Sequence, residues 1–433
     1  MDITSLHQVF CNSSGISTDS RKIKKGSLFF ALTGENFNGN KFAADALKKG
    51  ADYAVVDDPA VVSSDKFILV SDVLEALQQL ARFHREQLSI PIIGLTGTNG
   101  KTTTKELIFA VLSQKYKVHA TQGNLNNHIG VPLTLLEIDA DVEIAVIEMG
   151  ANHQEEIKFL CSLARPDIGL ITNVGKAHLE GFGSFEGVKK AKGELYEFLG
   201  EHGGKILVQG DNAYLHAMLK DRALQPFLRY GEGLENDLVG TLVDSAGFLS
   251  FKWYERSQEK KYLVNTRIVG SYNLDNALAA ILLGRICKIE ADQINQALAG
   301  YIPQNNRSQL SKTDFNTVIC DFYNANVSSM KAAVENLSRV KAESKVVILG
   351  DMFELGAYSD QEHQKIVDLT REINAERRIF VGDAFYGRKD STGEFYRTTQ
   401  EAKNAISQNP VKHATVLLKA SRSMKFEELL SYL

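Results

Sequence analysis

Residues 92–104 read IIGLTGTNGKTTT, an apolar run that passes through a glycine-rich turn into the helical stretch TTKELIFAVLSQK at 103–115. A strand, a glycine turn and a helix in this order form the context in which a loop binds phosphate. The generic phosphate-loop pattern has glycine at the position of Leu95, so this loop is a variant of it. The stretch predicts an α/β fold built around a nucleotide site.

The loop carries the first candidate site residues. Gly97 and Gly100 let backbone N–H groups approach phosphate oxygens, and the start of the following helix adds partial positive charge. Lys101 is expected to bridge the β- and γ-phosphates, and Thr102 to offer its hydroxyl to Mg²⁺. The alternative is an ordinary glycine-rich connection, but a Gly-Lys-Thr triplet at the start of a strong helix favours phosphate binding.

The patterns around this loop divide the chain into three units, 1–88, 89–303 and 304–433. The first is a small α/β unit, and an amphipathic helix over Val73–Gln87 joins it to the second. The runs VEIAVIEMG, DIGLITNV and KILVQGD extend the second unit into a doubly wound sheet. The third begins within YIPQNNRSQ and is predicted to form a Rossmann-like parallel sheet, with strands NTVICDFY, SKVVILGD, RRIFVGD and ATVLLKAS and helices near 328–340, 360–374, 399–408 and 424–433.

Composition narrows the class of protein. A net charge of -4 argues against a general nucleic-acid binder. The cysteines are far apart and form no C-x-x-C pair, which suits a reducing cytoplasm better than a disulfide framework or a structural zinc site. We see neither a signal-peptide pattern at the start nor an apolar run of membrane-spanning length, so we expect a soluble cytoplasmic protein without membrane insertion.

A magnesium ion held together with phosphate normally needs a carboxylate at the end of a neighbouring strand. Glu148, which closes the apolar run IAVIE, is the best-placed carboxylate. His178, in NVGKAHLEGFG, follows another strand at the same predicted edge of the sheet. A lone histidine is more often structural than a metal ligand, so both interpretations of His178 stay open.

Lys192 lies in the helical stretch FEGVKKAKGELYEFL. A step of 100° per residue places it on the apolar face, with Lys190, Glu194 and Glu197 pointing away. Such a lysine is either snorkelling or paired, or it is buried. Burial would lower the pKa of its amine, and a neutral amine captures carbon dioxide as a carbamate. The carbamate would be an anion able to ligand a second Mg²⁺.

The third unit contributes two further candidates. Arg307 lies just past the linker, and an arginine that enters from another domain neutralises a transferring phosphoryl group in many enzymes. Asp321 ends the strand TVICD and is a candidate for binding ribose hydroxyls. A solvated charge at a strand end is the alternative for Asp321.

Together these stretches resemble the ATP-dependent Mur ligases of peptidoglycan synthesis, whose loop T-G-T-N-G-K-[ST] accounts for Leu95. The resemblance covers essentially the whole chain and is strongest to the branch that joins D-Ala-D-Ala to UDP-MurNAc-tripeptide. The matching stretches are GNLNNHIGVP (123–132), IEMGANHQEEI (147–157), HLEGFGS (178–184), AKGELY (191–196), YNAN (323–326), LGDMFELG (349–356) and KASRSM (419–424).

The resemblance implies a role for each matching residue. ATP would contact Thr98, Asn99, Gly100, Lys101, Thr102, Thr103, Asn273, Asn276, Arg307 and Asp321, and the metal would be held by Thr102, Glu148, His178 and carbamylated Lys192. Catalysis would depend on Lys101, Lys192, His178 and Arg307. The UDP moiety would contact Ser20, Arg21, Thr33 and Gly34, the muramoyl peptide Asn124, Asn126 and Asn127, and the incoming dipeptide Asp351, Glu354, Ser421 and Arg422.

The implied reaction forms an amide at the expense of ATP. The tripeptide carboxylate would attack the γ-phosphate to give an acyl phosphate and ADP, and the amine of D-Ala-D-Ala would then displace phosphate. The expected cofactors are ATP and two Mg²⁺ ions, and the expected partners are these small-molecule substrates. We expect a monomer whose C-terminal domain closes before chemistry, because the substrate contacts come from separate units.

Three other functions stay open at this level. One is another amide ligase of the same superfamily, such as a folylpolyglutamate synthase or a sister ligase that adds a single amino acid. The second is an ATP-driven switch, which would bind nucleotide without amine-dependent phosphate release. The third is a small-molecule kinase, which would leave a stable phosphoryl product. The sequence does not specify whether the tripeptide ends in meso-diaminopimelate or lysine.

Overall fold

The computed structural model describes residues 2–224 and 227–433. Three main sheets occupy residues 16–69, 92–269 and 309–419 in turn, and each is packed against helices, which confirms the predicted α/β class. All four cysteines are unpaired, as expected: Cys11, Cys161, Cys287 and Cys320. Within the described ranges, no helix has the length and apolar character needed to cross a membrane.

The first unit is a small parallel sheet of order β1-β2-β5-β6 with an antiparallel hairpin, β3-β4, beside it. Helix α3 begins after Asp72, whose carboxylate accepts a hydrogen bond from the Glu75 amide at 2.8 Å and so caps the helix. The predicted amphipathic helix is confirmed. The elements are β1 (Ile16–Ser17), β2 (Leu28–Phe30), β3 (Thr33–Gly34), β4 (Phe37–Asn38), β5 (Tyr53–Val56), β6 (Phe67–Leu69), α1 (Ile3–Cys11), α2 (Ala43–Lys48) and α3 (Val73–Gln87).

The second unit has a nine-stranded sheet of order β15-β14-β13-β12-β11-β10-β7-β9-β8. Four of these strands were predicted from the sequence, and all four are confirmed. They are β7 in IPIIGLT, β9 in VEIAVIEMG, β10 in DIGLITNV and β11 in KILVQGD. The strands are β7 (Ile92–Thr96), β8 (Val118–Ala120), β9 (Ile144–Glu148), β10 (Ile168–Ile171), β11 (Lys205–Gln209), β12 (Phe227–Gly231), β13 (Leu238–Asp244), β14 (Phe248–Glu255) and β15 (Tyr262–Val269). The helices are α4 (Lys101–Leu112), α5 (Gly130–Leu136), α6 (Glu156–Ala164), α7 (Leu179–Phe182), α8 (Phe185–His202), α9 (Ala213–Asp221), α10 (Asn273–Ile286) and α11 (Ala291–Gly300).

Strands β13 to β15 form an antiparallel extension that the sequence analysis did not identify. Along β14, Leu249, Phe251 and Trp253 are buried, whereas Phe248 and Lys252 are exposed. Alternation of this kind is typical of a strand with one covered face. The sheet is therefore parallel where it carries the phosphate loop and antiparallel at the edge distant from it.

The third unit has a six-stranded sheet of order β16-β17-β21-β18-β19-β20, in which only the β16-β17 pair is antiparallel. The four predicted strands are confirmed as β17, β18, β19 and β21. The predicted helix near 424–433 is wrong: Lys425 has φ 55°, and 3₁₀ turns at Arg422–Met424 and Phe426–Tyr432 flank it. The elements are β16 (Gln309–Lys312), β17 (Thr317–Cys320), β18 (Lys345–Gly350), β19 (Arg377–Val381), β20 (Glu394–Tyr396), β21 (Thr415–Lys419), α12 (Val327–Arg339), α13 (Ser359–Arg371), α14 (Asp383–Tyr386) and α15 (Thr399–Gln408).

The order of strands determines where functional side chains meet. β7 lies between β9 and β10 and runs parallel to both, so the carboxyl ends of these three strands share one edge. A crevice at this edge is the usual ligand site of a doubly wound sheet. The third unit lies against the same edge, because Asn326 donates to Asn99 Oδ1 at 2.7 Å and Lys176 Nζ lies 3.2 Å from Glu362 Oε1.

Candidate active site

The loop after β7 has the geometry of a phosphate cradle. Gly97 has φ 147° and Gly100 has φ 79°, values that residues with a side chain rarely adopt. A Cβ atom on Gly97 would lie 2.0 Å from Thr172 Oγ1, so the loop passes too close to β10 for any other residue. Helix α4 begins at Lys101, and its N-terminus therefore faces the space that the loop encloses.

Two residues that the sequence analysis missed fix the loop. The Asn99 amide donates to Asn173 Oδ1 at 3.0 Å, and Asn173 Nδ2 donates back to the Asn99 carbonyl at 3.1 Å. The Thr172 hydroxyl donates to the same carbonyl at 2.6 Å. Both follow the apolar strand β10 directly, and a polar pair at that point of a parallel sheet is the signal that identifies them.

Lys101 lies inside the loop. Its ammonium group donates to the carbonyls of Gly97 at 2.7 Å and Thr98 at 3.2 Å. Burial lowers the pKa of Lys101, the charge of Arg307 lowers it further, and Glu148 opposes the shift. A phosphate anion in the cradle would supply the negative charge that this buried amine lacks.

Thr102 and Glu148 are brought together as predicted. The Thr102 hydroxyl donates to Glu148 Oε2 at 2.9 Å, and Asn126 Nδ2 donates to the other carboxylate oxygen at 2.8 Å. Lys105, which was not predicted, is buried with its Nζ 4.0 Å from Glu148 Oε2. Hydroxyl and carboxylate oxygens are the ligands that Mg²⁺ prefers, so these residues fit the predicted ion.

A complete all-protein metal cage is absent from the part of the chain that the structure describes, since no group of three or more His, Cys, Asp or Glu side chains is suitably arranged there. Mg²⁺ usually binds one or two protein groups and completes its shell with phosphate oxygens and water. The sparse donor set is therefore the kind expected for an ion that arrives with a nucleotide.

His178 immediately precedes α7 with φ 50°, and its Nδ1 lies against the Glu354 carboxylate of the third unit. Burial lowers the pKa of His178, whereas Glu354 acts to raise it. Its ring lies at the same sheet edge as Glu148 and lines the same cavity. Metal binding by His178 stays a prediction.

Lys192 is buried on helix α8, with 2% of its surface exposed. Its Nζ lies 3.2 Å from the carbonyl oxygen of Ala151 and 5.3 Å from the centroid of the Phe182 ring. Burial first, and then the charge of Lys101, hold the pKa of Lys192 well below its usual value. The snorkelling alternative is wrong, because Lys192 does not reach solvent and forms no ion pair within the described residues.

Glu194 corrects the helical-wheel prediction for α8. It was expected to point away from the buried face, but it is buried and accepts hydrogen bonds from the amides of Glu155 at 2.7 Å and Lys158 at 2.9 Å. These amides lie at the start of helix α6, where unpaired N–H groups attract a carboxylate. Lys190 is exposed, as predicted.

Helix α10 contributes a network of buried amides to the site. Asn276 Oδ1 accepts from the Thr104 hydroxyl at 2.9 Å, and Asn276 Nδ2 donates to Asn273 Oδ1 at 2.8 Å. Asn273 in turn donates to Ser308 Oγ at 3.0 Å. This network ties helix α10 to the phosphate-loop helix and to the linker that carries Arg307.

Asp321 is paired with a lysine that the sequence analysis missed. Lys419 ends β21, is buried, and has its Nζ 2.6 Å from Asp321 Oδ2. The solvated-charge alternative for Asp321 is therefore wrong. A lysine inside the apolar run ATVLLKAS was the available signal, because a buried lysine requires a partner.

A cavity of about 730 Å³ is lined by residues of the second and third units. Its size is suited to a nucleotide and part of a second substrate. It brings together most of the predicted nucleotide and metal residues. The predicted residues that line it are Thr98, Asn99, Gly100, Lys101, Thr102, Thr103, Asn124, Asn126, Asn127, Glu148, His178, Asn273, Asn276, Arg307 and Asp321.

A second, smaller pocket of about 420 Å³ is lined by Glu354, Ser421 and Arg422, three of the residues predicted to contact the dipeptide. Dipeptide binding there stays a prediction. Asp351 differs from expectation. Its carboxylate is buried and accepts from the amides of Ala384 and Phe385, both at 2.9 Å, so it caps helix α14 instead of lining this pocket.

The four residues predicted for the UDP moiety lie in the first unit, outside both pockets. Arg21 is exposed and forms an ion pair with Asp19 at 2.9 Å. The Thr33 hydroxyl lies 3.5 Å from Asn38 Oδ1. Ser20 precedes Arg21 in the chain, and Gly34 follows Thr33. A UDP site at these residues stays a prediction.

Glu106, on the phosphate-loop helix, holds the linker that leads to Arg307. Its carboxylate accepts from the Tyr301 hydroxyl and from Asn305 Nδ2, the latter at 2.8 Å. Burial and the Glu106 charge raise the pKa of Tyr301, so its hydroxyl remains a donor. Arg307 follows Asn305 by two residues, and its position therefore depends on this contact.

Glu106→Ala is expected to lower kcat/KM for ATP at least about tenfold, because each hydrogen bond to a charged group contributes about 1.5–3 kcal/mol and about 1.4 kcal/mol is a factor of ten. Steady-state kinetics and limited proteolysis of residues 301–308 check this. Tyr301→Phe and Asn305→Ala remove the partners, and their effects should not add to that of Glu106→Ala. Full additivity, or kinetics unchanged in all three variants, would contradict the linker role.

Comparison with protein families gives three matches in chain order. Residues 12–85 match the model described as Mur ligase family, catalytic domain; residues 95–284 match Mur ligase middle domain; residues 306–422 match Mur ligase, glutamate ligase domain.

Curated relatives carry the name UDP-N-acetylmuramoyl-tripeptide--D-alanyl-D-alanine ligase. The protein of that name from Bacillus subtilis is 36% identical over 96% of this chain and 92% of its own length. The one from Escherichia coli is 35% identical over 96% of this chain and 92% of its own length.

Solved structures with the same fold superpose on nearly the whole chain. MurF from Acinetobacter baumannii superposes with a TM-score of 0.88 at 29% identity and covers 99% of this chain and 97% of its own. MurF ligase from Thermotoga maritima, solved in complex with ADP, has a TM-score of 0.86 at 25% identity and covers 98% of this chain and 97% of its own.

Proposed function

We propose, from the premise that this chain belongs to the Mur ligase family, that it joins D-alanyl-D-alanine to UDP-N-acetylmuramoyl-tripeptide while ATP is converted to ADP and phosphate. The chain is an ATP-dependent peptide ligase of peptidoglycan precursor synthesis. One observation supports the roles proposed for the residues. The phosphate loop, Glu148 and Arg307 line a single cavity, and a second pocket that contains Arg422 lies beside it.

The first step brings two anions together, the tripeptide carboxylate and the γ-phosphate of ATP. The carboxylate oxygen bonds to the γ-phosphorus as the bond to the β-phosphate oxygen breaks, which gives an acyl phosphate and ADP. Lys101 and Arg307 supply positive charge where negative charge accumulates, and such preorganised groups stabilise transition states strongly. The cradle fixes Lys101 before substrate arrives, because its ammonium already lies within the loop.

In the second step the amine of D-Ala-D-Ala attacks the activated carbonyl, loses a proton, and phosphate departs. The pocket of Glu354, Ser421 and Arg422 lies beside the cavity and offers a guanidinium for the dipeptide carboxylate. The amine end would then lie toward Asn324, which lines both pockets. Closure of the third unit would exclude water, which competes with the amine for the acyl phosphate.

Mg²⁺ would be held by Thr102 and Glu148, with His178 as a further ligand, and when bound it neutralises phosphate charge as a Lewis acid. Lys192 would carry a carbamate, formed when its neutral amine captures carbon dioxide with loss of a proton. The support for the carbamate is the burial of Lys192 without an anionic partner among the described residues. A carbamate converts this neutral buried amine into an anion that suits a second ion.

Phosphate release tests the function. With ATP, UDP-MurNAc-tripeptide and D-Ala-D-Ala all present, we expect stoichiometric ADP, phosphate and pentapeptide product, and omission of any substrate should remove the product signal. Phosphate release that ignores the amine would favour an ATP-driven switch, and a stable phosphorylated product would favour a kinase. A panel of tripeptides ending in meso-diaminopimelate or lysine identifies the third residue, and single amino acids in place of the dipeptide test the sister ligases.

We propose a cytoplasmic monomer. ATP and nucleotide-linked precursors are cytoplasmic substrates, and residues of one chain line both pockets. Sedimentation of the active enzyme at assay concentration checks the monomer.

A further inference from the structure

Tyr323 lies in the loop between β17 and α12, and two arginines lie close to its ring. The Arg307 Cζ atom is 3.6 Å from the ring centroid, and the Arg422 Cζ atom is 4.8 Å from it. Both distances are within the range of about 6 Å over which a guanidinium is attracted to an aromatic face. The two arginines are remote in sequence: one precedes β16 and the other follows β21.

The two arginines belong to different pockets. Arg307 and Tyr323 line the larger cavity, whereas Arg422 lines the smaller one. The ring therefore lies at the junction between the proposed nucleotide site and the proposed dipeptide site. Asn324, the next residue, lines both pockets, which places the whole loop at that junction.

The ring is also the principal partner of both guanidinium groups. Among the described residues, neither Arg307 nor Arg422 forms an ion pair or a side-chain hydrogen bond. A guanidinium that stacks on an aromatic face keeps its N–H donors free, because they lie in its own plane. Tyr323 thus restricts both side chains without consuming the donors that an anion would need.

We propose that Tyr323 is a positioning residue that holds Arg307 and Arg422 on one ring, so that one binds the transferring phosphoryl group and the other the carboxylate of the incoming dipeptide. The inference rests on the proposed function. It adds a physical link between the two substrate sites: a single uncharged side chain fixes the cation of each. Loss of the ring should therefore weaken both substrates together, which the loss of either arginine alone would not do.

Tyr323→Leu tests the proposal. We expect KM to rise about 2- to 30-fold for ATP and by a similar factor for D-Ala-D-Ala, the range that follows from about 0.5–2 kcal/mol per cation–π contact. Tyr323→Phe keeps the ring and should stay within about twofold of the wild type for both. A rise confined to one substrate, or Phe behaving like Leu, would overturn the proposal.

Tyr386→Leu is the matched control. The Tyr386 ring is also half-buried and also carries two cations, Arg397 at 4.3 Å and Lys389 at 5.0 Å, but it lies outside both pockets. Tyr386→Leu should leave the KM values for ATP and D-Ala-D-Ala unchanged. A rise in these values equal to that of Tyr323→Leu would overturn a specific role for Tyr323. Thermal melting establishes that each variant is folded, and Tyr323→Gln provides a second ring-free variant should leucine prevent folding.

The assay of the wild-type enzyme with all three substrates distinguishes failure of the proposed function from failure of the inference about Tyr323. If the wild type requires all three substrates and the ring-free variants keep normal KM values, the inference fails and the proposed function stands. If the wild type makes no pentapeptide, the proposed function fails. Calorimetric titration of ATP into wild type and Tyr323→Leu then still tests the Arg307 contact, since weaker binding in the variant supports it and equal binding overturns it.

Discussion

Replacing Lys192 with alanine is expected to lower the rate of ligation at least about 100-fold while the protein stays folded, because the variant loses the group proposed to carry the carbamate. Lys192 is buried on α8, and its pKa is held well below the usual value by burial and by Lys101. A buried amine without an anionic partner among the described residues is costly to the fold, and its removal offsets the cost of the cavity that alanine leaves, so the melting temperature should change little. Pentapeptide formation and thermal melting are the measurements.

Short carboxylates distinguish a carbamate from a merely structural lysine. Formate, acetate or propionate at high concentration should partly restore the activity of Lys192→Ala, because each fits the space left by the side chain and supplies the missing oxygens. Lys190→Ala is the control, since Lys190 is exposed on the same helix. This variant should ligate at the wild-type rate. Absence of rescue, together with mass spectrometry of an unmodified Lys192 in active enzyme, would remove the carbamate from the mechanism.

Lys101→Ala is expected to lower kcat by about 10²- to 10³-fold, the range for loss of one preorganised group that stabilises transition-state charge. The Lys101 ammonium donates to the carbonyls of Gly97 and Thr98 and so lies where the phosphates are expected. ATP affinity should fall by a smaller factor, because the loop N–H groups and the start of α4 remain.

Calorimetry of ATP binding and single-turnover phosphate release separate these two effects of Lys101→Ala. Lys117→Ala is a suitable control, because Lys117 is exposed, pairs with Asp141 at 2.7 Å and lies outside both pockets. A variant at Lys101 that turned over ATP at the wild-type rate would exclude the assigned role and would place the phosphates elsewhere.

Local patterns carried most of the fold prediction. The run IIGL is apolar and is followed by Thr96, two glycines and Lys101, so strand, loop and helix could each be identified from their own residues. The four strands of the third unit were equally clear, because buried parallel strands are nearly continuous apolar runs. The prediction failed for the C-terminal helix, where Lys425 in a left-handed conformation interrupts the pattern without a glycine to signal it.

The site residues that were predicted are also those with a local sequence signal, and the ones that were missed lack such a signal. Glu148 was found because it ends an apolar strand, and Lys192 because it falls on the apolar face of its helix. Asn173, Lys419 and Tyr323 were missed, because each owes its importance to a partner that is distant in the chain. Asn99 is 74 residues from Asn173, Asp321 is 98 residues from Lys419, and Arg422 lies as far from Tyr323, on the loop that follows β21. Glu194 was misplaced for the same reason: its helix alone leaves it outside, and only the start of α6 gives it a buried partner.

The sequence by itself determined the phosphate loop, the family resemblance and the three-unit order, since each depends on residues close together in the chain. Only the tertiary structure decided that Lys192 has no anionic partner in the part of the chain it describes, that Glu106 holds the linker, and that one tyrosine ring contacts an arginine from each pocket. The physical reason is that pKa, pairing and stacking depend on distance in space. Residues as far apart as Arg307 and Arg422 acquire a common role only when the sheets have assembled.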